Sequence, residues 1–134
     1  MREPTFWSRP AGSSALLLAP AAALYGAIAA RRMARPGHRA PIPVICVGNF
    51  TLGGTGKTPT AIAIARILSR YGHRPFFLTR GYGGHLAGPV RVEPQTHTAR
   101  DVGDEALLLA RVAPTIVARD RAAGAETAAR TGAS

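Results

Sequence analysis

Acidic side chains are scarce in this chain: seven Asp and Glu stand against 17 Lys and Arg in 134 residues, a formal net charge of +10. Such a surplus suits partners that carry phosphate groups or anionic lipid head groups. Aromatic residues make up only 6%, and no basic stripe interleaved with aromatics or other nucleic-acid module is legible. A base-stacking platform, and with it a nucleic-acid partner, is not expected. A single cysteine, Cys46, excludes an internal disulfide and fits a reducing compartment. Lying within an apolar run, it reads as a small buried hydrophobe. The four histidines, His38, His73, His85 and His97, lack ligand spacing, so no metal cluster is expected. Lysine occurs once among the 17 basic residues, as Lys57.

That lysine sits in the stretch around which the chain is organised, residues 41–60. Residues 42–47 (Ile-Pro-Val-Ile-Cys-Val) read as a buried parallel strand. A glycine-rich turn follows, and Gly56-Lys57-Thr58 opens a helical pattern. Strand, glycine loop and helix in that order are the setting of a phosphate-binding P-loop. Gly53, Gly54 and Gly56, with Thr55 between them, let backbone N–H groups turn inward around phosphate oxygens. The helix N-terminus adds unpaired donors and the positive end of a dipole. Lys57 would reach the β- and γ-phosphates of ATP, and the Thr58 hydroxyl would ligate Mg²⁺. The strict pattern has glycine five residues before Gly56, where this chain has Thr51. The bland alternative is a strand–helix turn with no ligand.

Along the rest of the chain, residues 15–30 carry no charge and Arg31 and Arg32 follow at once. Sixteen helical residues rise about 24 Å, short of a hydrocarbon core of roughly 30 Å, and Pro20 and Gly26 weaken the helix. An interfacial helix is the reading that fits best, its apolar side in the lipid and its arginines on anionic head groups. A signal sequence and a soluble core helix are the rivals. Residues 34–41 are a breaker-rich linker, so we expect an N-terminal membrane-associating segment over 1–40 and a kinase-like α/β portion over 41–134. Ala61, Ile62, Ile64, Ala65, Ile67 and Leu68 give an apolar helical face through about Tyr71, and Gly72 stops it. Residues 75–79 form the next strand, completing a βαβ unit with parallel pairing. Arg80-Gly81-Tyr82-Gly83-Gly84 lies beyond that strand's carboxyl end, where open α/β sheets bind ligands. Arg80 there is either a solvated turn residue or a phosphate contact.

Residues 85–100 read as a polar loop with a short strand near 90–92. A helix starts around Asp101-Val102-Gly103-Asp104-Glu105. Its acids serve as caps, or one is a carboxylate aimed at a γ-phosphate to take the acceptor's proton. Residues 115–118 are a third strand. Asp120 reads as a helix-start residue and not as a Mg²⁺-binding aspartate at a strand end.

Several of these pieces together are more specific than any one. Residues 47–59 (Val-Gly-Asn-Phe-Thr-Leu-Gly-Gly-Thr-Gly-Lys-Thr-Pro) closely resemble the P-loop of the lipid A 4'-kinases, the tetraacyldisaccharide 4'-kinase family. Trp7 with the apolar N-terminal segment, residues 79–84 (Thr-Arg-Gly-Tyr-Gly-Gly) and residues 103–110 (Gly-Asp-Glu-Ala-Leu-Leu-Leu-Ala) agree in order. The resemblance implies a P-loop α/β fold and phosphorylation, by ATP with Mg²⁺, of the 4'-hydroxyl of a lipid A disaccharide precursor. The setting it implies is the cytoplasmic face of a bacterial inner membrane. It makes Asp104 the catalytic base, with Lys57 and Arg80 assisting, and puts Glu105 beside Thr58 as a metal-binding or orienting group. That family carries an Asp-Asp-Gly-Phe-Gln segment and a second half that do not occur here, so the expectation is an N-terminal portion, of marginal stability and little activity alone. The alternatives are a P-loop kinase or switch with a soluble substrate, and a non-catalytic ATP-binding remnant.

Overall fold

A computed structural model of the chain describes residues 13–34, 36–48 and 56–134. The chain divides into two units, Met1–His38 and Arg39–Ser134. In the first, helix α1 spans Ser13–Met33, with Pro20 inside it and Arg31 and Arg32 in its last turn. Its 21 residues rise about 31 Å. The window Leu16–Met33 is long and apolar enough to cross a membrane by length and composition. The helix is longer than the 16 uncharged residues because it continues through Arg31 and Arg32, whose unbranched stems favour helix, while Pro20 stays within it. Leu16, Leu17, Leu18, Leu24 and Tyr25 are each at least 60% exposed.

In the second unit, α2 covers Lys57–Arg70. Pro59 is tolerated because it falls in the first turn, where N–H groups have no intrahelical acceptor. The helix ends as its sequence implies: the Tyr71 N–H bonds to the carbonyls of Ile67 and Leu68, and Gly72 takes φ +85. Strand β1 follows at Phe77–Thr79, then β2 at Val90–Arg91, the short helices α3 (Ala99–Val102) and α4 (Asp104–Ala110), β3 at Thr115–Val117, and α5 at Arg121–Arg130. The sheet order is β1-β3-β2. β1 and β3 run parallel with Leu78 opposite Ile116, while β2 is antiparallel to β3 with Val90 opposite Val117. The sheet is thus mixed, its parallel pair extended by the short strand expected near 90–92.

Strand alternation sorts the core into two faces. Phe76, Leu78, Ile116 and Ala118 pack toward Ala128 of α5. Phe77 packs with Ala65 of α2 and Leu109 of α4, and Val117 with Val92, Val102 and Ala106. α5 lies so close to the sheet that a Cβ on Gly124 would sit 2.5 Å from Leu78 Cδ1 and 2.8 Å from Ala118 Cβ. Asp120 caps α5, its Oδ1 accepting from the N–H groups of Ala122 and Ala123 at 2.9 and 3.2 Å. That is the helix-start role read from the sequence.

One expected element is not formed. Residues 43–48 have no regular structure, and Val44 and Ile45 are 66% and 58% exposed. Only Ile42 of this run reaches the core, against Ile116 and Ala118. A buried parallel strand exists by virtue of its neighbours, and both edges of β3 are already paired, to β1 and β2. β1 and β2 each keep an open edge, but among the described residues the run is paired to neither.

Ile116 has no exposed surface, so Ile116→Ala should cost about 2–5 kcal/mol. Thermal unfolding should show a midpoint lowered by several degrees or more. An unchanged midpoint would contradict the placement of this strand at the centre of the core.

Candidate active site

The buried face of α4 fixes where its first turn can be. Its Ala106 and Leu109, three residues apart, and Val102 at the end of α3 are at most 6% exposed and pack against β3 and α2. The opposite face carries Asp104 and Glu105, both exposed. α2 presents Ala61, Ile62 and Ala65 to the cluster that holds Leu109, so the two helices pack together. Their first turns meet there. Thr58 Oγ1 donates to Glu105 Oε1 at 2.6 Å across 47 residues of sequence. Lys57 is the first residue of α2, and Gly56 precedes it at φ +79, a left-handed conformation that glycine adopts without penalty.

The carboxyl ends of β1 and β3 open toward the same place. Arg80 follows Thr79, the last residue of β1, and is exposed. Gly81 is buried: a Cβ there would lie 2.5 Å from Val117 Cγ1 and 3.1 Å from the Val102 carbonyl oxygen. Gly103, the residue before Asp104, abuts the Tyr82 carbonyl. The loop 80–84 and the first turns of α2 and α4 are therefore gathered around one end of the sheet. Among the described residues no group of three or more His, Cys, Asp and Glu could hold a metal ion. The oxygens brought together are instead one hydroxyl and one carboxylate, the hard donors that suit Mg²⁺ when substrate phosphates complete its shell. Gly53, Gly54 and Thr55, singled out as phosphate-binding, lie outside the described residues.

One sequence reading changes. Asp104 does not cap α4: Gly103 holds the N-cap position, and Asp104 Oδ1 accepts from the adjacent Glu105 N–H at 2.8 Å. The acid that secures a helix start is Asp101. Its Oδ2 accepts from both the N–H (2.6 Å) and the hydroxyl (2.7 Å) of Thr98, tying down α3 immediately before Gly103. The spacing Thr98-x-x-Asp101 resembles a capping box, a signal the sequence reading passed over. These Thr98 bonds hold the Asp101 carboxyl below the usual carboxylate range, the side-chain bond contributing most, with His85 and His97 lowering it further.

The architecture, with its helix N-terminus at the carboxyl ends of parallel strands, is that of a P-loop kinase. Comparison with a solved crystal structure agrees: the "apo" form of LpxK from Aquifex aeolicus in complex with ATP superposes with a TM-score of 0.70 at 29% identity, over 84% of this chain and 39% of that one. A family model described as tetraacyldisaccharide-1-P 4'-kinase matches residues 14–134, and the chain belongs to that family. Among curated relatives, the tetraacyldisaccharide 4'-kinase of Methylobacterium sp. (strain 4-46) is 66% identical over 134 residues, covering 99% of this chain and 40% of its own length. That of Nitrobacter winogradskyi is 60% identical, covering 100% and 40%. The chain thus spans about 40% of the length of these relatives.

Because its folded-state affinity for a proton is lowered, Asp101 adds stability that is full above the ordinary carboxylate range and is lost as pH falls through its depressed pKa. Thr98→Val should be less stable than wild type at neutral pH, and the gap should close in acid. Urea unfolding at a series of pH values would show this. A gap independent of pH would mean that Thr98 acts through packing alone.

Proposed function

We propose that this chain supplies the ATP-binding portion of a kinase that phosphorylates the 4'-hydroxyl of a tetraacyldisaccharide 1-phosphate, the lipid A precursor. The observation that carries the reading is the 2.6 Å contact between Thr58 and Glu105. It joins the helix behind the glycine-rich loop to the helix that begins Asp104-Glu105. Family membership supports the acceptor, and the ATP complex of the Aquifex protein supports the donor.

In this reading Gly53, Gly54, Thr55 and Gly56 offer backbone N–H groups to the phosphates. Lys57 places a compact ammonium at the β- and γ-oxygens. Thr58 and Glu105 would hold Mg²⁺, which when bound supplies charge neutralisation at those oxygens. Asp104 accepts the proton of the sugar hydroxyl as its oxygen bonds to the γ-phosphorus and the bond to the β-bridging oxygen breaks, releasing ADP. Arg80, beyond the carboxyl end of β1, stabilises charge on the phosphoryl group in transfer.

The apolar α1, ending in Arg31 and Arg32, holds the enzyme at the cytoplasmic face of the inner membrane, where an acylated substrate resides. Each arginine near an anionic surface is worth about 1 kcal/mol. Arg31→Ala with Arg32→Ala should therefore weaken partition to phosphatidylglycerol vesicles roughly 30-fold, as read by sedimentation. Partition that is insensitive to both changes would remove the arginines from the membrane contact.

The kinase reading is tested in the complete reading frame containing these residues, by transfer of labelled γ-phosphate to the tetraacyldisaccharide 1-phosphate. Lys57→Ala should lower transfer by about 10²–10³-fold. Asp104→Ala should lower it by about 10²–10⁴-fold while retaining ATP binding. Full transfer in Asp104→Ala would remove that residue from the chemistry, and ATP binding without any transfer by the wild type would sink the kinase assignment.

A further inference from the structure

Of the glycines in the 81–84 loop, Gly84 faces protein backbone where a side chain would otherwise stand. A Cβ on Gly84 would lie 2.6 Å from the Asp101 carbonyl oxygen and 2.7 Å from both Gly103 N and Val102 C. A Cβ on Gly103 would collide with the Tyr82 carbonyl oxygen. The contact is reciprocal: each segment needs a glycine where the other passes. Gly84 does not occupy the positive-φ region, so its backbone conformation makes no demand for glycine. Close packing against residues 101–103 does.

The same seam is pinned on either side. Gly84 N–H bonds to Gly81 O, His85 N–H to Arg100 O and Leu86 N–H to Asp101 O, each at 3.0 Å. The His85 ring adds a 2.8 Å contact from Nδ1 to Arg100 O. Beneath it, Val102 and Val117 have no exposed surface. The residue that emerges from this clamp is Asp104.

We propose that Gly84 and Gly103 are positioning residues, whose backbone-on-backbone contact sets the place of the Asp104 carboxylate. The proposal rests on Asp104 being the base. The atoms that an added methyl would meet are main-chain atoms, which cannot swing aside as a side chain can. Bringing the 2.7 Å approach to an ordinary 3.4 Å contact moves residues 102–103 by roughly 0.7 Å and carries Asp104 with them. A misplacement of about 1 Å can cost on the order of 10²-fold in rate.

The test uses the complete protein with Gly84→Ala, Asp104→Ala and the two combined. Ile116→Val, in the core facing α5, serves as a control for lost stability. Gly84→Ala should lower kcat about 10- to 100-fold with KM for ATP within about twofold, a split that general destabilisation does not produce. The double variant should be no slower than Asp104→Ala alone, because a misplaced base that is already absent costs nothing further. Val117→Ala, which removes the methyls under Gly81, gives a second and milder displacement expected to show the same pattern. Losses that multiply independently, or a kcat for Gly84→Ala within twofold of wild type, would overturn the proposal.

Amide hydrogen exchange provides a readout that does not depend on transfer. Exchange at His85, Leu86 and Leu107, whose N–H groups bond to the Arg100, Asp101 and Gly103 carbonyls, should quicken at least tenfold in Gly84→Ala or Val117→Ala and stay unchanged in Ile116→Val. Unaltered exchange at those amides overturns the positioning role whatever the assay gives. A wild type that transfers no phosphate counts against the kinase reading instead.

Discussion

The strand Thr115–Val117 has no side that faces water. Its three residues are fully buried, β1 and β2 occupy both of its edges, and its alternating side chains supply α5 on one face and α4 on the other. The remaining placements follow. Val117 seats Val102 and Ala106, which orient α4. Leu109 of α4 then meets Ala65 of α2. Two helix N-termini are brought together by apolar packing, and the 2.6 Å bond between Thr58 and Glu105 forms where that packing leaves them. Polar groups are thus positioned by an apolar core; among the described residues Thr115 is the buried polar one, its hydroxyl returned to the Ala113 carbonyl at 3.0 Å.

Much of this was legible in the sequence where the signal is local. The apolar face of α2, its stop at Gly72, the start of α5 at Asp120 and the short strand near residue 90 all rest on neighbours within a turn or a pleat. The helix start behind the glycine-rich turn was legible as well: Gly56-Lys57-Thr58 opens α2, as its helical pattern implies.

What escaped the sequence was nonlocal. The run 42–47 has the composition of a buried strand, but composition does not supply the neighbouring strand that makes one. The 16-residue uncharged segment understated α1, since helix does not stop at a charge. Gly81, Gly84 and Gly103 were visible as glycines. Whether a missing Cβ makes room for ligand or for backbone depends on what passes beside it, and Gly84 is spaced from Gly103 by an intervening strand and helix. Asp104 and Asp101 illustrate the same limit at closer range: both precede helical patterns, and only the fold tells the capping acid from its neighbour.

The central claim is that the first turns of α2 and α4 form one magnesium- and phosphate-binding site, and the direct measurement is a double-mutant cycle. The affinity of the complete protein for ATP with Mg²⁺ would be determined for wild type, Thr58→Val, Glu105→Gln and the pair. A shared site predicts that the two losses are not additive, with a coupling of about 0.5–3 kcal/mol that vanishes when Mg²⁺ is withheld. Losses that simply add, with or without the metal, would mean that the two residues touch without serving a common ligand.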